Sequence, residues 1–185
     1  MNQSAIEDRI AISILAGGQS LRMGRDKTRL RLGGRSLLGH VRAAANATGW
    51  PVRVIRHDAV PRCGPLGGIC TALQSSRGGV ELFLACDMPF VSPALLTKLA
   101  DHLGPKCNAM FAAAEGRVGF PFLLRTAVLP VVEKQIRNQQ FSLQRLAEVL
   151  GAGVFRVPKD RTPELRNINT PAEWQEARRS SESQP

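Results

Sequence analysis

An apolar run, Ile10 to Leu15, leads straight into Ala16-Gly17-Gly18-Gln19-Ser20-Leu21-Arg22-Met23-Gly24-Arg25-Asp26-Lys27, where glycines and fixed cations share one short stretch. Gly17, Gly18 and Gly24 carry no Cβ to hold the backbone off a ligand, so successive main-chain N–H groups can converge on phosphate oxygens. Arg22 and Lys27 add positive charge to those amides. The chemistry this implies is the gripping of a polyphosphate. The spacing matches neither the Walker loop, G-x-x-x-x-G-K-[ST], nor the dinucleotide turn, G-x-G-x-x-G, because Gly24 is followed by Arg25-Asp26-Lys27-Thr28. An ordinary strand-to-helix glycine turn accounts for two adjacent glycines, but not for the whole string with its cations.

A second group of residues suits the same chemistry. Asp87 follows the apolar run Val80–Cys86, at the carboxyl end of a strand, where ligands bind in open α/β sheets. Ser92 already provides the next helix cap, so the Asp87 carboxylate is available for a hard cation such as Mg²⁺, which takes one or two carboxylates plus phosphate oxygens. Gly64-Pro65-Leu66-Gly67-Gly68 puts bare backbone at a helix start, able to offer N–H and C=O groups to a base edge. Asp58, Asn167 and Asn169 are each equally well explained as turn or cap residues. His40, His57 and His102 lack the spacing of a metal site or a catalytic triad.

The string from Gly17 to Lys27 resembles, at every motif position, the signature G-G-x-S-x-R-M-G-x-D-K of the nucleotidyltransferases that attach a nucleotide to molybdopterin. Leu84-Ala85-Cys86-Asp87-Met88-Pro89 is similar to that family's strand-C-D-x-P segment, Gly64-Pro65-Leu66-Gly67-Gly68 to its G-P-L-A/G-G, and Asn167-Ile168-Asn169-Thr170-Pro171 to its N-x-N-T-P. Gly119-Phe120-Pro121 matches a G-x-P element more loosely. The resemblance implies a Rossmann-like, three-layer α/β/α fold and transfer of a nucleotide from Mg²⁺-bound nucleoside triphosphate to the terminal phosphate of molybdopterin. Leu15 ahead of Ala16-Gly17-Gly18, together with G-P-L, points to the guanylyl branch and so to GTP.

The same resemblance assigns Arg22, Lys27 and Asp87 to catalysis, with Asp87 as the metal ligand. It assigns Leu15, Ala16, Gly17, Gly18, Arg22, Lys27, Asp58, Gly64, Pro65, Leu66, Gly67 and Asp87 to the nucleotide, and Pro121, Asn167 and Asn169 to the acceptor side. Other molybdenum-cofactor proteins and target molybdoenzymes are the partners it implies. Between Gly49 and Gly64 this chain has a single strand pattern, Val52–Ile55, where related chains have strand, helix and strand. Two alternatives stay open beside the guanylyltransferase: a cytidylyl or other small-phosphate nucleotidyltransferase and, on the strength of that departure, a GTP-binding delivery protein without turnover.

The elements that must position these residues alternate. Strand patterns fall at Ile10–Leu15, Val52–Ile55, Val80–Cys86, Ala109–Ala114, Phe120–Leu124 and Val154–Val157. Helix patterns fall after Ser36, after Gly64, after Ser92-Pro93, at Ala127–Arg137, at Ser142–Leu150 and after Thr170-Pro171-Ala172-Glu173, a capping box with proline at the first helical position. This order implies an α/β layered fold with a mostly parallel sheet. One domain is expected over residues 1–178, with a disordered tail from 179 to 185.

Composition narrows the partners. The chain of 185 residues carries 25 Lys+Arg against 15 Asp+Glu, a net charge of +10, which favours polyanionic ligands. Aromatic residues make up only 5% and tyrosine is absent, which argues against a stacking platform for single-stranded nucleic acid. Cys63, Cys70, Cys86 and Cys107 form no C-x-x-C pair and read as reduced thiols of a cytoplasmic protein. Glu7 and Asp8 precede the first apolar run, unlike the basic opening of a signal peptide, and no segment is long enough to span a bilayer.

Overall fold

The structure, a computed structural model, describes residues 10–17 and 30–182. Six strands form the central sheet: β1 (Ile10–Leu15), β4 (Val52–Ile55), β5 (Val80–Ala85), β6 (Ala109–Ala114), β7 (Arg117–Arg125) and β8 (Gly153–Arg156), in spatial order β4-β1-β5-β7-β6-β8. A two-stranded ribbon, β2 (Arg31–Leu32) and β3 (Arg35–Ser36), stands apart from it. β4, β1 and β5 pair in parallel, as do β6 and β8, while β7 runs antiparallel to both β5 and β6. The sheet is therefore mostly parallel, as the alternating pattern implies.

Period-2 placement of apolar residues divides the core in two. Ile10, Ile12 and Ile14 of β1 and Val80, Leu82 and Leu84 of β5 face helices α1 (Leu37–Asn46) and α3 (Pro93–Asp101). Phe83 with Phe111 and Phe122 on the neighbouring strands faces α2 (Pro65–Gln74), α4 (Leu129–Arg137) and α5 (Leu143–Val149). Phe122 stacks on Phe83 at 5.0 Å and on Phe111 at 4.6 Å between centroids, joining three strands through one aromatic row. Because β5 is covered on both sides, it reads as the continuous apolar run expected of a buried strand.

Caps end the helices where the sequence implies. Ser36, Ser92 and Ser142 each accept a hydrogen bond from the backbone N–H three residues on. The capping box of α6 (Pro171–Glu182) closes reciprocally: Thr170 N donates to Glu173 Oε2 at 2.9 Å and Glu173 N donates to Thr170 Oγ1 at 3.2 Å.

α6 runs to Glu182, its first turn capped and Ala177 buried against Ile168, Leu32 and Leu37. Two expectations need correction. β7 begins at Arg117 rather than Phe120, since its first residues pair with Ala112–Ala114 of β6. The helix expected from Ala127 opens as a 3₁₀ turn, Thr126–Val128, with Pro130 entering only at the start of α4. The short ribbon and a 3₁₀ segment, Lys159–Leu165, have no counterpart in the sequence reading.

Candidate active site

The carboxyl ends of β4, β1 and β5 lie side by side. Ala16 N donates to Ile55 O at 2.8 Å, and Cys86 N donates to Leu15 O at 3.1 Å. The chain passes from β1 to β4 on one side and returns to β5 on the other, so a crevice opens between the two crossovers at this edge. Three stretches singled out by their chemistry leave the sheet here: the start of the glycine loop, the Asp58–Gly68 segment, and Cys86–Asp87.

Asp58 is the hub on the β4 side. A Cβ placed on Gly17 would stand 3.1 Å from Asp58 Oδ1, and one on Gly68 would stand 3.2 Å from the same oxygen and 3.2 Å from Leu15 Cδ2. At Gly67 the added atom would meet Val60 O at 2.6 Å and Asp58 Cβ at 3.0 Å, closer than real contacts allow. The glycines are thus needed for close approach, and they bring Leu15, Ala16–Gly17, Asp58 and the first turn of α2 into one cluster. Thr71 fastens the crossing loop: its Oγ1 accepts from Ala59 N at 2.8 Å and donates to Gly67 O at 2.9 Å. Burial pushes the half-buried Asp58 carboxyl above its ordinary pKa, with His57 opposing.

α2 starts without a side-chain cap: Gly64 sits at its N-cap with φ of 56°, a conformation that favours glycine, and Pro65 occupies the first turn. Leu66 and Gly67 are buried, and Pro65 is half-buried. A helix start of this kind leaves backbone donors for an incoming ligand.

On the β5 side, Asp87 is half-buried with its Oδ1 shielded from solvent. Its carbonyl accepts from Ile168 N at 2.8 Å, which docks the irregular Asn167–Asn169 stretch directly beside it. The ladder between β5 and β7 stops at Phe83–Phe122, two residues before the end of β5. Pro121, buried, lies where the β6–β7 register slips, at a position that needs no N–H for the ladder. The structure therefore brings Leu15, Ala16, Gly17, Asp58, Gly64, Pro65, Leu66, Gly67, Asp87, Asn167 and Asn169 to one edge of the sheet, while Pro121 is placed only on β7, at its register slip against β6. Gly18, Arg22 and Lys27 lie outside the described residues.

Sequence reasoning missed a buried polar network beneath the site. Glu81, fully buried in β5, accepts from Ser13 Oγ at 2.7 Å, from Ser76 Oγ at 2.6 Å and from Arg53 at 2.7 Å. Arg53 also donates to Ser13 Oγ at 3.0 Å and to the α2 C-terminal carbonyls of Ala72 at 2.6 Å and Ser75 at 3.0 Å. Burial pushes the Glu81 carboxyl up, against the hydrogen bonds from Ser76, Ser13 and Arg53. This network locks β4, β1, β5 and α2 together, the four elements that carry the site. Its available signal was a glutamate inside the otherwise apolar run Val80-Glu81-Leu82-Phe83-Leu84.

The donor set suits a hard cation shared with a ligand. Among the described residues no three His, Cys, Asp or Glu side chains converge as a self-sufficient cage. One carboxylate with a solvent-shielded oxygen at the end of a strand fits Mg²⁺ when phosphate oxygens and water complete its shell. The four cysteines form no disulfide, and no helix among the described residues is long and apolar enough to cross a membrane.

A mostly parallel sheet with these stretches at its switch point is the architecture of the nucleotidyltransferase class, and solved structures agree with that fold. Molybdopterin-guanine dinucleotide biosynthesis protein A from Archaeoglobus fulgidus superposes with a TM-score of 0.73 at 22% identity, covering 93% of this chain and 98% of that one. A nucleotidyl transferase from Methanothermobacter superposes at 0.72 and 21% identity, covering 96% and 100%. Residues 12–154 match the MobA-like NTP transferase domain, and the chain belongs to that family. The molybdenum cofactor guanylyltransferase of Rhizobium leguminosarum bv. trifolii is 32% identical over 92% of each chain. That of Xanthomonas euvesicatoria pv. vesicatoria is 30% identical over 87% of this chain and 90% of its own.

Proposed function

We propose that the protein is a molybdenum cofactor guanylyltransferase, moving GMP from GTP to the terminal phosphate of molybdopterin and releasing pyrophosphate. The observation that carries this reading is the convergence of the glycine-loop start, the Asp58–Gly68 segment and Asp87 at the ends of three adjacent parallel strands. A phosphate oxygen of the acceptor forms the new bond to the α-phosphorus, and the bond from that phosphorus to the β-phosphate oxygen breaks as pyrophosphate leaves. The attacking group is already an anion, so the reaction calls for no serine, cysteine or histidine nucleophile. It calls for alignment and charge neutralisation.

In this reading the amides of Ala16, Gly17 and Gly18 with Arg22 and Lys27 hold the triphosphate, and Asp87 holds Mg²⁺. The bound Mg²⁺ would offset charge on the phosphates. Leu15, Asp58 and Gly64–Gly67 bound the nucleoside side. Pro121, Asn167 and Asn169 bound the acceptor side. The family's setting further suggests work in the cytoplasm, with other molybdenum-cofactor proteins and molybdoenzymes taking the product.

The test is pyrophosphate release with each nucleoside triphosphate and Mg²⁺, with and without molybdopterin. Release with GTP, dependent on the acceptor, is the expected result; release with CTP alone would replace guanylyl by cytidylyl transfer. One observation favours a second reading, a GTP-binding delivery protein: β4 connects to α2 through a bare loop, without the helix and strand of fuller relatives. Binding of GTP without any pyrophosphate release would select it.

A further inference from the structure

The family match ends at residue 154, yet the chain beyond it reaches back to both sides of the site. The 3₁₀ segment is pinned to the α3 cap: Glu164 Oε2 accepts from Ser92 N at 3.2 Å and from Ser92 Oγ, while Arg161 donates to Glu164 Oε1 at 2.6 Å and to Ser92 Oγ at 3.0 Å. Burial raises the Glu164 pKa, but the bonds from Arg161 and Ser92 outweigh it and hold the carboxyl below its ordinary range. Ile168, fully buried, then gives its N–H to Asp87 O at 2.8 Å. Glu173 Oε2 takes the next two amides, Asn169 N at 2.6 Å and Thr170 N at 2.9 Å.

The opposite end of the same segment holds the exit of the glycine loop. Trp174 Nε1 donates to Arg31 O at 3.3 Å, and Ile168 and Ala177 pack with Leu32 and Leu37, flanked by Leu30, Phe90 and Trp174. One small core therefore touches Leu30–Leu32, directly after the polyphosphate loop, and Phe90, directly after the Asp87 turn.

We infer that the C-terminal segment is a clasp that sets where Asp87 stands relative to the Leu30–Leu32 stretch, with Glu173 as its positioning residue. The inference rests on the guanylyl-transfer reading above. Glu173 touches no reacting atom. It fixes the two amides directly C-terminal to that of Ile168, and the Ile168 amide fixes the Asp87 peptide; released, the peptide can rotate and carry the carboxylate with it. Groups that orient a metal ligand typically change metal affinity or activity by about 10–100-fold when removed.

The experiment compares full-length wild type with Glu173→Ala, Glu173→Gln and Trp174→Phe. Binding of N-methylanthraniloyl-GTP is read by fluorescence with and without metal, and Mn²⁺ binding in the presence of GTP by electron paramagnetic resonance, beside thermal midpoints and pyrophosphate release. Glu173→Ala should weaken the metal-dependent part of GTP binding about tenfold and leave metal-free binding unchanged. Glu173→Gln, which keeps an acceptor for both amides, should restore it, and Trp174→Phe should give a smaller loss in the same direction. A lowered thermal midpoint with unaltered metal dependence would reduce Glu173 to a helix cap and overturn the clasp. Should Glu173→Ala not fold, unaltered metal dependence in Trp174→Phe overturns it equally. Wild type that neither binds GTP nor releases pyrophosphate would instead overturn the guanylyl-transfer reading, and the clasp with it.

Discussion

Gly67→Ala adds one methyl group where the crossing loop lies on the first turn of α2. The new Cβ would meet Val60 O at 2.6 Å, with Asp58 Cβ and Cγ at 3.0 and 3.1 Å. The nearest atom is a backbone oxygen, so no rotamer change relieves the contact; the loop must retreat by roughly half an ångström or more to recover ordinary separation. Overpacking of this size costs about 2 kcal/mol, while replacing glycine by alanine inside a helix returns about 1 kcal/mol, for a net loss of about 1 kcal/mol. In a chain of this size that lowers the melting temperature by roughly 3 °C. The larger effect should fall on the site, because Ala59 and Thr71 make Asp58 and Val60 move as one piece. Displacement on the ångström scale can cost up to about a hundredfold, so a rise of about tenfold in the KM for GTP is expected. Gly119→Ala, with nothing within 4 Å of its added Cβ, is the control. Steady-state kinetics with thermal melts decide the matter: a Gly67→Ala protein with wild-type KM and stability would refute the reasoning.

Removing the cation in Lys27→Ala should cost about 3 kcal/mol of transition-state stabilisation, roughly a hundredfold in turnover, with the fold intact by circular dichroism. Arg53→Ala leaves fully buried Glu81 without its ion-pair partner and should destabilise the protein by about 3 kcal/mol in urea titrations at pH 7. That loss should shrink as the pH falls, because the carboxyl, already pushed up by burial, then protonates. Glu173 titrates with the opposite consequence. The Asn169 and Thr170 amides hold its folded pKa below the ordinary value, so its cap is fully stabilising above about pH 4.3 and is lost as the pH falls through the lowered value. Fluorescence of Trp174 in a Trp50→Phe background should report loosening of α6 in that acid window and none between pH 5 and 8.

Much of the architecture was legible because local rules and tertiary packing agree. Continuous apolar runs became β1 and β5, serine caps opened α1, α3 and α5, and Thr170-Pro171-Ala172-Glu173 closed its box as written. β7 kept its apolar centre, Phe122-Leu123-Leu124, but its direction came from pairing with β5 and β6, which no pattern within the strand encodes. The docking of α6 is of the same kind: its capping box is legible in the sequence, but the packing of Ala177 against Ile168 is not.

The site divides along that line. Residue types and spacing alone pointed to a polyphosphate ligand, because glycine amides, fixed cations and a strand-end aspartate are chemical features readable without coordinates. Tertiary structure decided which of these meet. Gly17, Asp58, Gly67 and Gly68 become one cluster, and Ile168 reaches Asp87, because parallel crossovers bring strand ends together across long stretches of sequence. Such contacts are set by how two faces of a sheet are buried, and a chain read residue by residue carries no record of that.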